Sequence, residues 1–366
     1  MENERFDLEY VLRRASDAPR ALTPSEIESL LSIDDEDGMD RLFAAAHAVK
    51  VRHCGMGVAA RGLVEAGNVC AKDCLYCGIR KSNSAVRRYA LSADEIVSAA
   101  EEAKSLDYAS LVIQSGEIEG EAHTRFIEEV LRRIAPLGLG VTLSLGEQTE
   151  ETYARWRAAG AERYLLRIET SSPALYARLH PVDCSWERRV ECLRALRRTG
   201  YQVGTGVMCA LPGQTHVDLA ADILFYADLD VDMIGMGPYL PHPDTPLAVE
   251  AADWNAAAAL ALGLKMIAVT RLYLHDVNIA AATALQALAE DGRERGVMAG
   301  ANVIMPNVTA VAHRRDYSLY ANKPCCDETA ALCRGCLDRR LAAVGEHLLY
   351  GKRGDSPHYH RRTRDD

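Results

Sequence analysis

Between about residues 63 and 306, short apolar runs alternate with longer amphipathic stretches. The runs cover 63–69, 110–114, 141–145, 164–168, 203–209, 233–236, 277–281 and 303–305. The stretches between them carry helix signals. One opens on the capping box Ser92-Ala93-Asp94-Glu95 and keeps Ile96, Val97, Ala100 and Ala103 on one face. Another has Ser172 as cap with Pro173 just inside, and a third opens at Thr215 with Asp218 three residues on. Eight apolar runs separated by helices predict parallel strands joined by crossover helices. The fold class read from this pattern is α/β: a (β/α)8 TIM-type barrel, whole or partial, with a doubly wound open sheet as its rival.

The flanks have other patterns. Residues 1–55 predict an N-terminal helical segment, where Thr23-Pro24-Ser25-Glu26 supplies a cap, a proline at the first helical position and an acid at the third. The barrel is assigned to 56–310 and a C-terminal cysteine-containing extension to 311–350. The polar tail 351–366 is expected to be disordered, with His358 and His360 solvated.

Composition narrows the class. A chain of 366 residues suits one large barrel of ~250 residues with extensions. Its 48% hydrophobic and 26% charged residues are those of a globular protein. A net charge of −10 argues against a general nucleic-acid binder. Met1-Glu2-Asn3-Glu4-Arg5 holds no apolar export core, and the apolar stretch 256–269 is interrupted by Lys265 and too short to cross a membrane. The expected location is therefore cytoplasmic, without a membrane partner. Eleven cysteines in a reducing compartment point to metal ligands before disulfides.

The densest cysteine group, Cys70-Ala71-Lys72-Asp73-Cys74-Leu75-Tyr76-Cys77-Gly78, follows the first strand run. That is where a barrel presents its active-site loops, at the carboxyl end of a strand. Three thiolates can hold three irons of a cubane and leave the fourth open to a ligand. Structural zinc is the alternative, but it prefers four protein ligands and no local fourth follows.

This spacing, C-x3-C-x2-C with the aromatic Tyr76 before the last cysteine, resembles the signature of the radical S-adenosylmethionine (SAM) superfamily. The resemblance implies a 4Fe-4S cluster on Cys70, Cys74 and Cys77, with SAM chelating the open iron and cleaved by one electron to methionine and a 5′-deoxyadenosyl radical. It also implies a SAM site at the strand ends. Ser115-Gly116-Glu117 resembles the superfamily's Gly-Gly-Glu segment, which accepts the methionine ammonium. Thr142 and Ser144, two apart on the third run, share one side of a strand. Glu169 would hold the ribose hydroxyls, Arg188 the methionine carboxylate by its planar fork, and Met236-Gly237-Pro238 the adenine.

A narrower resemblance rests on an ordered set of segments: 114–117, 142–147, Tyr164-Leu165-Leu166-Arg167-Ile168-Glu169-Thr170, Leu211-Pro212-Gly213-Gln214-Thr215 and Gly237-Pro238-Tyr239-Leu240-Pro241-His242. From about 69 to 336 the chain is similar to the HydE-type FeFe-hydrogenase maturases. The resemblance implies a radical attack on the sulfur of a small iron complex of cysteine, carbon monoxide and cyanide, made by a HydG-like enzyme. It implies delivery of the product to a HydF-like scaffold, and an electron donor. Such a complex is anionic and would be held by the cationic Arg163 and Arg167, four apart around the fourth run, while Thr283, Met305 and Tyr320 match the positions that line the family's substrate cavity. Two departures stand out: Ile168 where some relatives have His, and Ala282 in a segment that elsewhere carries more hydroxyls.

Beyond the barrel, Cys325, Cys333 and Cys336 resemble the family's accessory iron–sulfur site, of 2Fe-2S or 4Fe-4S type. With Cys326 they also provide four thiols, enough for zinc. Cys54, Cys184, Cys192 and Cys209 are isolated and expected to be buried free thiols. Two rival functions remain: a related radical SAM enzyme on a small amino acid, similar to methylornithine synthase, and a non-catalytic iron–sulfur or zinc protein. A biotin-synthase-like enzyme would need further thiols inside the barrel, where only Cys209 stands near a strand end.

Overall fold

The apolar runs become the staves of a parallel barrel. In the computed structural model, which describes residues 6–365, the strands are β1 (Gly57–Ala60), β2 (Gly62–Gly67), β3 (Ser110–Ser115), β4 (Gly140–Ser144), β5 (Ala161–Leu165), β6 (Gln202–Thr205), β7 (Met208–Cys209), β8 (Met233–Ile234), β9 (Gly237–Pro238), β10 (Asn278–Ile279), β11 (Val303–Ile304) and β12 (His347–Leu349). Seven pair in the order β10-β8-β6-β5-β4-β3-β2, all parallel. The ring closes through β11: Ala281 N donates to Val303 O at 2.9 Å on one side, and Leu63 N to Pro306 O at 2.8 Å on the other. Closure of the seven-stranded sheet through β11, by the bridges Leu63–Asn307 and Ala280–Val303, excludes the doubly wound open sheet.

Helices wrap this ring because their caps and stripes are written locally. Ser92, Thr149, Ser172, Ser185 and Thr215 each accept from a backbone amide of the first turn of their helix. The predicted capping boxes at Ser92 and Thr215 are both present. Three N-terminal helices, Leu8–Asp17, Pro24–Leu31 and Glu36–Cys54, pack on the outside, the last along Ala256–Leu274. That 19-residue helix extends the apolar stretch beyond its expected end and is long and apolar enough to span a membrane. It is instead mostly buried, with Lys265 Nζ donating to Ile33 O at 2.8 Å. The polar residues Met1–Arg5 lie outside the described residues.

The tail departs from expectation. It is ordered: residues 351–356 enter the floor of the barrel and Pro357–Asp365 is helical. Arg163 ion-pairs with Asp355 there, Ser110 donates to Arg353 O, Arg61 and Asn278 donate to Gly354 O, and Gln202 donates to Asp355 at 2.7 Å. His358 bridges Asp230 at 2.9 Å and Asp276 at 3.3 Å, so it is neither solvated nor free for metal. Arg362 reaches Asp232 at 3.0 Å. A charged composition resembles disorder until these counter-charges, from 82 (358 − 276) to 192 residues away, are visible.

Candidate functional site

The loop after β2 is shaped before any metal is considered. The Arg88 guanidinium donates to the carbonyls of Asn68, Ile79, Arg80 and Asn83, the first two at 2.7 Å. Asp73 takes both Arg80 Nε, at 2.8 Å, and Ser82 N, at 2.9 Å. Ala71 N donates to Glu117 O at 2.8 Å and Glu117 N to Cys70 Sγ at 3.3 Å, tying the loop to the end of β3. The contact needs glycine at 116, where a Cβ would fall 2.3 Å from Val69 O. Gly146 has φ +79°, and a Cβ there would strike the Glu117 carboxylate at 2.2 Å.

Cys70, Cys74 and Cys77 line one cavity of about 360 Å³ at the carboxyl ends of the strands. Three thiols on one loop can give one thiolate to each of three irons of a polynuclear cluster. Burial pushes the Cys77 thiol up to about 12 and raises Cys74 as well, so both thiols need a metal's charge to be held as thiolates.

A chain of alternating charges runs along and behind the cavity wall, with Glu117, Arg189, Arg167 and Glu169 in the lining. Lys72 Nζ stands 3.1 Å from Glu117 and 3.8 Å from Glu147, and Arg189 Nε stands 2.8 Å from Glu147. Arg167 Nη2 stands 2.9 Å from Glu169. Several of these atoms, among them Glu117 Oε1, Glu169 Oε2 and the Nε of Arg167 and Arg189, are buried without a hydrogen bond, so the pairs are close but misaligned. Burial raises the carboxyls of Glu117 and Glu169 against the pull of Arg189 and Lys72 on the first, and of Arg167 and Arg189 on the second. Glu169 itself sits at φ +67°, turned inward off the end of β5, with its amide donating to Gly206 O at 3.0 Å. Unspent donors and acceptors facing a cavity fit a zwitterionic, hydroxylated ligand such as SAM.

The cavity gathers residues the sequence singled out: Tyr76, Ser115, Glu117, Ser144, Arg167, Glu169, Thr283, Met305, Tyr320, Cys325 and Cys333 all line it. Five are placed elsewhere, Cys336 among them. Arg188 is exposed and donates to Gln148 O at 3.2 Å, while Arg189 faces the cavity. Arg163 is fully buried in the barrel floor with Asp355 and does not line the cavity. Thr142 is buried outside the lining, its hydroxyl without a partner. The Met236 side chain packs into the main core, with Thr270 Oγ1 3.9 Å from its sulfur, and leaves Gly235 and Gly237 to form the wall. Ile168 is also core.

The second cysteine group is rearranged. Cys325, Cys333 and Glu328 bring their ligand atoms within 4.8 Å of one another, and Cys336 falls outside this group. Arg293 Nη2 lies 3.5 Å from Cys325 Sγ, and the contact with Cys333, aided by Arg293, lowers the Cys325 thiol against the opposing effect of burial. Of the four isolated cysteines, Cys192 and Cys209 are buried and Cys54 and Cys184 are partly exposed. Sequence reasoning missed Lys72, Glu147, Arg189 and Arg293. For Arg189 the signal was present: 189, 193 and 196 share one helical face with the apolar residues Leu193 and Leu196.

Comparison with known proteins agrees with this geometry. Residues 64–225 match the Radical SAM superfamily. The chain is 42% identical over 326 residues, 89% of its length and 92% of the relative's, to the FeFe hydrogenase maturase subunit HydE of Thermotoga maritima. It is 28% identical over 288 residues, 77% of its length and 79% of the relative's, to the 3-methylornithine synthase of Methanosarcina barkeri. The crystal structure of methylornithine synthase (PylB) superposes with a TM-score of 0.79 at 24% identity, covering 93% of this chain and 98% of that one, a likeness of fold.

Proposed function

Since this chain belongs to the HydE family of the radical SAM superfamily and is a radical SAM enzyme, we propose that it matures FeFe hydrogenase by acting on a small anionic iron complex of cysteine, carbon monoxide and cyanide. The 4Fe-4S cluster and SAM of the family supply a one-electron cleavage of a sulfonium carbon–sulfur bond. In this reading Cys70, Cys74 and Cys77 hold the cluster. Glu117 and Ser115 receive the methionine ammonium, Arg189 its carboxylate, and Glu169 the ribose hydroxyls. Arg167 also donates to Val207 O at 2.9 Å, so its guanidinium is fixed beside the Glu169 carboxylate, 2.9 Å away.

The observation that carries the substrate assignment is the cavity wall around Tyr320. Arg293, only 3% exposed, and Arg167 both line this cavity with Thr283 and both act on the Tyr320 phenol. Cations in a water-poor wall favour a small anion and disfavour a neutral amino acid. Glu65, also in the wall, is already ion-paired with Lys323 and accepts from Asn307 Nδ2 at 2.9 Å, so it does not cancel them. HydG-like and HydF-like maturases and a one-electron donor would be the partners, in the cytoplasm. The accessory cysteines would hold a second metal centre.

The experiment is anaerobic turnover of reconstituted protein with SAM, reductant and the synthetic iron–cysteine complex. An adenosyl–sulfur species tracked by EPR is expected. Free 5′-deoxyadenosine with the complex untouched would overturn the substrate and leave a methylornithine-synthase-like reaction on an amino acid as the better reading.

A further inference from the structure

The helix Pro173–Leu179 starts four residues after Glu169 and ends against the cluster loop. Its last carbonyl, Leu179 O, accepts from Leu75 N at 2.9 Å, and Leu75 O accepts from Leu247 N at 3.0 Å. The next residue, His180, is 3% exposed and reaches Tyr76, which stands between Cys74 and Cys77. His180 Nε2 lies 3.2 Å from the Tyr76 hydroxyl, and the two rings meet edge to face with centroids 5.4 Å apart. The other ring nitrogen lies 2.9 Å from Tyr176 O, and the Tyr176 ring stacks on the imidazole at 3.9 Å.

These contacts fix every proton. A carbonyl only accepts, so Nδ1 carries the hydrogen. In a neutral imidazole Nε2 is then an acceptor, and Tyr76 must donate. Burial keeps the ring neutral, drawing its pKa down to about 4. The loop's own shape does not depend on this bond, because Asp73, Arg80 and Arg88 hold it from the other side. What the bond adds is orientation of the aromatic ring that lines the cofactor end of the cavity.

We propose that His180 is a positioning residue for SAM, acting through Tyr76: it locks the phenol, and so the plane on which the cofactor rests beside the cluster. The inference rests on the radical SAM reading of the cavity. It adds a strut, running from Glu169 through Pro173–Leu179 to Tyr76, that keeps the two walls of the cofactor site at one spacing.

Three variants of the full chain, reconstituted anaerobically, test it. Tyr76→Phe removes the donor, His180→Phe removes the acceptor but keeps a ring in the stack, and His180→Gln restores an acceptor. Iron content and the reduced-cluster EPR spectrum without SAM are expected to match wild type. SAM affinity, read from the SAM-induced change in that spectrum, should fall roughly two- to tenfold in Tyr76→Phe and His180→Phe, the worth of one hydrogen bond. The double variant should bind no worse than either single one, and His180→Gln should recover most of the loss. Wild-type affinity in His180→Phe, or losses that add, would overturn the proposal. If His180→Phe loses its cluster, Tyr76→Phe alone decides, with unchanged affinity as the contrary result. A wild-type spectrum indifferent to SAM would instead sink the family reading.

Discussion

Adjacent arginines on one helix separate a surface from a site. Arg189 is 8% exposed and shares its helix's buried face with Val190, Leu193 and Leu196; Arg188 points off that face to Gln148 O. Burial lowers the pKa of Arg189, but Glu147, Tyr176, Glu117 and Tyr76 together outweigh that and hold it well above the ordinary value, so it is charged wherever the protein is folded. Arg189→Leu should weaken SAM binding tenfold or more, about the loss of a charge-assisted hydrogen bond, because it also strands Glu147 with only Lys72 at 3.8 Å. Arg188→Ala should stay within about twofold of wild type, as surface changes do. Titration of SAM against the reduced cluster measures both. The residue-level chemistry legible in the sequence was the part that is local in sequence: three cysteines within eight positions declare a cluster by themselves. Arg163 was misplaced because what defines it, the Asp355 carboxylate, lies 192 residues away and leaves no trace at position 163.

Among the elements, those with local signals were readable and those held by distant charge were not. The capped helices and the long strands β3 and β4 appear where the alternation puts them. Strand β5 begins three residues early, at Ala161, because Glu162 and Arg163 interrupt its apolar pattern while Arg163 points into the floor. The tail's ordering follows from the same floor. Removing 351–366 would leave Arg163 buried without its carboxylate, a loss on the order of 3 kcal/mol and a fall in Tm on the order of 5 °C by thermal unfolding. His358 adds a pH dependence. Burial opposes its protonation, but Asp230 and Asp276 raise it to about 9. A raised pKa means the stabilisation is complete below the ordinary histidine value and is lost as pH climbs through about 9. Wild type should therefore lose more stability than His358→Gln between pH 7 and 10 in denaturant unfolding, and equal slopes would show the clamp to be inert.

At the scale of the whole molecule, the barrel joins two chemistries in one closed space. The three thiols, Glu117 and Glu169 with Arg167 and Arg189, and Arg293, Thr283, Tyr320, Cys325 and Cys333 all line that space. The β/α alternation predicted the barrel because each stave is a short apolar run and each crossover has its own cap. It did not predict that residues 317–333 fold over the mouth, since that segment has no periodicity and is held by single contacts such as Lys323 to Glu65 and Gly78 N to Leu319 O at 2.9 Å. The central claim is that the Cys70, Cys74 and Cys77 thiolates leave one iron open for SAM. The most direct measurement is EPR of the anaerobically reconstituted, reduced protein before and after SAM is added. The account predicts a 4Fe-4S signal that changes shape on SAM addition and disappears in Cys74→Ser. Zinc at this triad, or a cubane spectrum unmoved by SAM, would contradict it.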